Sequence, residues 1–228
     1  MTLLLAAILA TATPAPDAAG ALAYAQHCSS CHGADLHGGL GGPPLVGVGA
    51  ATVDFMLQTG RMPAADPNVE IGDRRVQLPP ATIAHIEAYI AAVAPGGPAI
   101  PQVVIGDATR GRTLFEQNCE HCHGVAAEGA PLGGDYWAPN LHHTSITQVA
   151  EAIRIGPDEM PPFTTQQLSD ADLNDVAAYV FQLATDSNTP HVPAATSGPV
   201  PEGLIGWLAI AALSALAFAF SRETSPDS

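Results

Sequence analysis

The sequence contains no lysine and little positive charge of any kind. Seven basic residues, all arginine, stand against 22 acidic residues, which gives a formal net charge of −15 at pH 7. Proteins that bind nucleic acid carry clusters of basic side chains, because contacts to the phosphate backbone dominate their affinity. This composition therefore excludes nucleic acid as a partner of the chain.

Cysteine is also scarce, and all of it lies in two copies of one pentapeptide. The four cysteines occur in Cys28-Ser-Ser-Cys31-His32 and Cys119-Glu-His-Cys122-His123. Cys-x-x-Cys-His is the signature of covalently attached c-type haem, in which the thiols add to the porphyrin vinyl groups and the histidine binds the iron. We therefore predict two covalently bound haem c groups. The attachment residues are Cys28, Cys31, Cys119 and Cys122, and the proximal iron ligands are His32 and His123.

Two other uses of cysteine pairs compete with haem attachment. A four-cysteine zinc site usually has its second pair about 15 to 20 residues after the first, whereas most of a domain separates these two pairs. A thioredoxin-like redox pair needs a βαβ setting, which this Ala-rich, helical pattern does not provide. Both alternatives explain the sequence less well than haem does.

An internal repeat surrounds the two motifs. A glycine and an aromatic residue precede each motif at the same distance, as Gly20 and Tyr24 and again as Gly111 and Phe115. Downstream, each half has apolar residues at helical spacing with a tyrosine in the equivalent position. Because glycine lets two helices cross closely, we expect the opening helix of each half to pack against this closing tyrosine. The closing tyrosines are Tyr89 and Tyr179.

Methionine supplies the predicted sixth ligand of each iron. Met62 and Met160 each directly precede a proline, which disfavours helical backbone and places them on loops. Met56 lies in a short amphipathic pattern, where methionine is ordinarily core filler. Methionine ligation raises the reduction potential of a haem. Histidine is the alternative sixth ligand, and the candidates are His37, His85, His121, His142, His143 and His191.

These residues together resemble tandem class I cytochrome c domains over most of residues 20–186. The resemblance implies an all-α fold, in which the macrocycle supplies much of the core that such small domains lack. It also implies that the carbonyls of Pro43 and Pro139 accept the Nδ1 hydrogen of the proximal histidines and fix their tautomer. The predicted segments are 20–95 for domain 1, 96–106 for a linker, 107–186 for domain 2 and 187–203 for a second linker.

Apolar stretches at both ends of the chain predict membrane segments. Residues 204–220 contain no charge, reach the lower length limit of a membrane span and carry Trp207 near one end, so we expect a C-terminal transmembrane helix followed by a tail over 221–228. Residues 1–19 contain a signal-like apolar run without a basic leader, which leaves signal peptide or anchor remnant open. The expected location is the cell membrane, single-pass or with a second, N-terminal span, and with the haem domains extracytoplasmic.

The order of these parts resembles the diheme cytochrome c subunit of the menaquinol-cytochrome c reductase (cytochrome bcc) complex. The resemblance implies electron transfer from the Rieske iron-sulfur protein toward a terminal oxidase, with cytochrome b as a further partner. The chain would be an electron-transfer subunit of an enzyme complex, with no catalytic residues or substrate pocket of its own. A diheme subunit of a cbb-type oxidase or of a periplasmic dehydrogenase, and a diheme peroxidase, are the alternatives.

Overall fold

The computed structural model describes residues 17–64, 74–134, 136–187 and 206–215. Two units make up the chain, Met1–Thr185 and Asp186–Ser228. Residues 1–16, on which most of the predicted N-terminal segment falls, lie outside the described residues, as does the second predicted linker beyond residue 187.

Among its described residues, the first half of the larger unit contains four helices. They are α1 (Ala18–His27), α2 (Ser29–His32), α3 (Ala50–Gln58) and α4 (Pro80–Val93). Helix α1 begins where it does because the Asp17 carboxylate accepts a hydrogen bond from the Ala19 amide at 3.0 Å. Helix α4 begins with Pro80, whose fixed φ and missing amide hydrogen suit a first helical position.

The second half repeats this order with one addition. Its elements are α5 (Ala108–Asn118), α6 (Glu120–His123), β1 (Ala130–Gly133), β2 (Tyr136–Ala138), α7 (Ile146–Ile155) and α8 (Asp170–Ser187). The antiparallel β1–β2 hairpin is absent from the all-α prediction. Gly133 and Gly134 make its turn with φ of 101° and 60°, values that side chains other than glycine rarely adopt.

Each half has its own apolar core under a crossing of its first and last helices. The first core includes Tyr24, Ile83 and Ile86, and the second includes Phe115 and Leu173. The predicted crossings are confirmed. The rings of Tyr24 and Tyr89 lie 5.5 Å apart, and so do those of Phe115 and Tyr179. A Cβ on Gly20 would lie 2.7 Å from the Tyr89 Cβ, so only glycine permits this approach.

The two halves contact each other directly. Helix α3 packs against α7, and the Gln148 side-chain amide donates a hydrogen bond to the Gln58 carbonyl at 3.1 Å. The first linker is bonded at both ends, because Ala51 donates to the Pro98 carbonyl at 3.1 Å and Val104 donates to the Asn174 side chain at 3.2 Å. The linker is therefore packed onto the halves that it joins.

The described part of the smaller unit does not agree with the predicted C-terminal transmembrane helix. This part is a helix over residues 206–215 in which every side chain is exposed. A helix of this length extends about 15 Å, half of the about 30 Å hydrocarbon core of a bilayer. Within residues 17–64, 74–134, 136–187 and 206–215, no helix is both long and apolar enough to cross a membrane. The predicted transmembrane helix over 204–220 is therefore wrong, and the rest of that stretch lies outside the described residues.

Candidate haem-binding sites

Each Cys-x-x-Cys-His motif occupies the joint between two helices of its half. Helix α1 ends before Cys28, whose amide donates to the Tyr24 carbonyl at 2.9 Å, and α2 carries the rest of the motif. The Cys31 amide donates to the Cys28 carbonyl at 3.1 Å, so the two thiols share one helical turn. All four cysteines are free of disulfides. Both thiols of each motif are therefore available for attachment to a porphyrin.

The structure also argues against a four-cysteine zinc site and against a thioredoxin-like redox pair. Cys28 packs against the first core and Cys119 against the second, so the two pairs belong to separate sites. Burial first, and then the second cysteine of the motif, raises the pKa of Cys28 to about 11 and that of Cys119 to about 12. A thioredoxin-like pair needs a thiolate of lowered pKa, and these thiols have the opposite property.

The two motif histidines are buried and held in one orientation. His32 donates its Nδ1 hydrogen to the Pro43 carbonyl at 2.8 Å, and His123 donates to the Pro139 carbonyl at 3.1 Å. A carbonyl oxygen only accepts, so the hydrogen must reside on Nδ1 and Nε2 keeps its lone pair for a metal. Burial lowers the pKa of His123, which favours the neutral ring that binds iron.

Glycines keep the backbone close to the first motif. A Cβ on Gly41 would lie 3.0 Å from the Cys31 sulfur, and a Cβ on Gly42 would lie 2.9 Å from Cε1 of His32. Side chains at these positions would enter the space beside the thiol and the imidazole. Free thiols, oriented imidazoles and a backbone without side chains beside them are the features that a covalently attached haem requires, so the residues present fit the group.

Met62 and Met160 lie on loops that follow equivalent helices, α3 and α7. Met62 packs against the core of the first half and Met160 against that of the second. Their amides donate to the Met56 and Pro157 carbonyls at 2.9 and 3.0 Å, which fixes both loops. Met56 lies within α3, as its amphipathic pattern predicts. The structure thus gives Met62 and Met160 equivalent places and sets Met56 apart.

Several histidines considered as alternative ligands are engaged elsewhere. Nε2 of His142 lies 2.6 Å from the Ala126 carbonyl, and Nδ1 of His37 lies 2.8 Å from the Asp35 carbonyl. Nδ1 of His85 hydrogen-bonds to the Asp17 carboxylate across the α1–α4 crossing. His191 lies outside the described residues.

An ion pair that the sequence reading missed joins the two methionine loops. Nε of Arg61 donates to Oδ2 of Asp158 at 3.1 Å, across the contact between the halves. The guanidinium stacks on the Phe55 ring at 4.7 Å from its centroid, and Arg61 is only 8% exposed. A signal existed, because the two repeat-equivalent loops carry opposite charges ahead of their methionines.

A second missed feature is a group of three carboxyls at the same contact. Asp54 on α3, Glu87 on α4 and Glu151 on α7 meet there, and Glu151 is fully buried. Burial first, and then the adjacent Asp54 carboxyl, raises the pKa of Glu87 to about 8 and that of Glu151 to about 9. Glu87 and Glu151 therefore keep their protons at neutral pH.

Comparisons with known proteins cover both halves. Residues 15–97 and 106–180 match the family described as cytochrome C oxidase, cbb3-type, subunit III. Each matched stretch contains one Cys-x-x-Cys-His motif. The family therefore occurs twice in the chain, in agreement with the internal repeat.

Curated relatives match across the same region. The cytochrome bc1 complex cytochrome c subunit of Mycobacterium tuberculosis is 36% identical in an alignment 193 residues long, which covers 79% of this chain and 68% of the relative. The corresponding subunit of Corynebacterium diphtheriae is 31% identical, over 81% of this chain and 73% of the relative. The cbb3-type cytochrome c oxidase subunit CcoP of Rhodobacter capsulatus is 28% identical, over 72% of this chain and 61% of the relative.

Proposed function

Because the chain belongs to the family of cytochrome c subunits of the cytochrome bc1 complex, we propose that it carries electrons through two covalently bound haem c groups within a quinol-cytochrome c reductase. The observation that carries this proposal is the duplicated site, in which two thiols and one oriented, buried histidine recur in each half. A duplicated site of this kind is suited to relaying electrons and not to binding one substrate.

The residues of each half have distinct tasks in this function. The cysteines of the motifs hold the macrocycle permanently, and His32 and His123 present Nε2 to the iron. Met62 and Met160 would supply the thioether that completes the protein ligand set of each half, a ligand type that raises the reduction potential. The bound haem supplies one-electron oxidation and reduction. With a histidine and a methionine of each half as protein ligands, the iron would have no coordination site open to a substrate, so the transfer would be outer-sphere.

The family supports two of the proposed partners, cytochrome b and a Rieske protein. The chain takes electrons from a Rieske iron-sulfur protein, stands beside cytochrome b and passes electrons toward a terminal oxidase. Both haem domains would lie on the extracytoplasmic side of the membrane that holds the complex. The net charge of −15 favours an electron acceptor or donor whose docking face is basic.

A second candidate function has one observation in its favour. The likeness to the cbb3-type oxidase subunit and to its family description fits a diheme subunit of such an oxidase. The lower identity of that relative, 28% against 36%, makes it the weaker candidate.

Copurification separates the two candidates. The chain is isolated in mild detergent with an affinity tag, and the subunits that accompany it are identified by mass spectrometry. The proposal requires a cytochrome b and a Rieske protein among them. Recovery of a haem-copper oxidase without cytochrome b, or of a soluble dehydrogenase, would contradict it.

A further inference from the structure

We propose that Arg61 and Asp158 form a positioning link between the two methionine loops, through which each haem site responds to the charge and geometry of the other half. The inference rests on the proposed function, because it takes Met62 and Met160 as iron ligands. Arg61 directly precedes Met62, and Asp158 precedes Met160 by two residues. The contact between Nε of Arg61 and Oδ2 of Asp158, at 3.1 Å, therefore links the two predicted ligands, because only a short stretch of backbone separates each charged residue from its methionine.

The arginine is fixed on its own side of the contact. Its side chain is 9% exposed, whereas that of Asp158 is 46% exposed. The stack on Phe55 of helix α3 holds the guanidinium plane at 4.7 Å from the ring centroid. Because a buried cation without its counter-charge is costly, the pairing with Asp158 is the arrangement that the buried guanidinium favours.

The loop that carries Asp158 depends on this pairing. Asp158 has a φ of 53°, a left-handed conformation that residues other than glycine rarely adopt and that persists where the surroundings hold it. Left-handed glycines also lie at the ends of the two preceding helices, with φ of 69° at Gly60 after α3 and 60° at Gly156 after α7. Both loops are therefore bent to a defined shape immediately before their methionines.

Removing one charge of the pair should shift the reduction potentials of both haems. The shift should have one sign when Arg61 is neutralised and the opposite sign when Asp158 is neutralised. Arg61→Gln leaves the Asp158 carboxylate uncompensated, which stabilises the oxidised, more positive iron. Asp158→Asn leaves the guanidinium uncompensated, which stabilises the reduced iron. The double variant removes both charges. A role confined to folding would move the potentials of the two single variants in the same direction.

Potentiometric titration of the full chain tests the link. Each haem should give one reduction wave in the titration. The waves are assigned with Met62→His and Met160→His, since loss of the thioether lowers the potential of the haem whose ligand is replaced. Arg61→Gln should disfavour reduction of both haems, and Asp158→Asn should favour it. Each variant should change the equilibrium constant for reduction by about tenfold, which is the order of the effect of one partly buried unit charge. The double variant should return near the parent values.

The control is Arg112→Gln, which removes an exposed ion pair within α5, where Nε of Arg112 lies 2.7 Å from Glu116. This variant should leave the reduction potentials of both haems unchanged. Shifts confined to the haem of the substituted half, or shifts of one sign in both single variants, would overturn the link. A parent chain without two haems or without a ferric methionine charge-transfer band would instead overturn the proposed function, before any variant is compared.

Discussion

Glu151 of the second half lies against Asp54 of the first, with the Glu151 side chain wholly removed from solvent. Two helices, α3 and α7, bring these carboxyls together, and Glu87 on α4 completes the group. Burial first, and then the adjacent Asp54 carboxyl, raises the pKa of Glu151. Protons retained by Glu87 and Glu151 therefore favour the contact between the two halves.

The buried carboxyl of Glu151 should make the stability of the folded chain depend on pH. The pKa of Glu151 is about 9 when folded and near 4.5 when unfolded. Between these values the folded chain binds more protons than the unfolded one, so stability falls as pH rises through this window, by up to about 1.4 kcal/mol per pH unit. Glu151→Gln removes the part of this dependence that Glu151 contributes, whereas Glu87, with a pKa raised to about 8, keeps its own part. We expect the midpoint of urea unfolding to fall less steeply from pH 6 to pH 9 in the variant than in the parent.

The matched control for this experiment is Glu116→Gln, because Glu116 is an exposed carboxylate on α5. Its variant should follow the parent at every pH. An identical pH dependence in parent and Glu151→Gln would show that the buried carboxyl does not govern the stability of the contact.

The second prediction concerns the helix crossing of the second half. A Cβ on Gly111 would overlap the backbone carbonyl of Asp175 and lie 3.1 Å from the Tyr179 Cβ. Gly111→Ala must therefore separate α5 from α8, and we expect it to destabilise this half by about 1–3 kcal/mol. The haem absorption of the second half, followed during urea unfolding, measures the effect. Gly206→Ala is the control, since a Cβ there would meet nothing within 4 Å.

The third prediction concerns the axial methionines. Met62→Ala and Met160→Ala should each remove about half of the ferric methionine charge-transfer band and lower the potential of one haem. Met56→Ala should leave the band intact, because Met56 lies inside helix α3. A band that survives in Met62→Ala or Met160→Ala would assign the sixth ligand to another residue, and a band lost in Met56→Ala would reverse the assignment.

The sequence predicted those features that depend on short-range patterns. The crossing of Gly20 with Tyr89 follows from the spacing of a glycine and an aromatic residue around a helical repeat, and the structure shows it. The bond from His32 to Pro43 came with the family resemblance and is present at 2.8 Å. Both features lie within one half, where local spacing determines which residues meet.

The features that were missed depend on how the halves meet. Asp54 and Glu151 lie on amphipathic helices, where a carboxylate ordinarily faces solvent, and only the packing of α3 against α7 buries Glu151. The pairing of Arg61 with Asp158 joins residues 97 positions apart, which no local period reveals. The 204–220 prediction failed for a different reason: apolar composition alone did not give a described helix of spanning length.

The intact mass of the purified chain tests the central claim most directly. Two covalently bound haems should make the parent heavier than its polypeptide by two haem groups. The Cys28→Ser/Cys31→Ser and Cys119→Ser/Cys122→Ser variants should each carry one haem fewer. A parent mass equal to that of the polypeptide alone, after expression with the machinery that attaches c-type haem, would contradict the account.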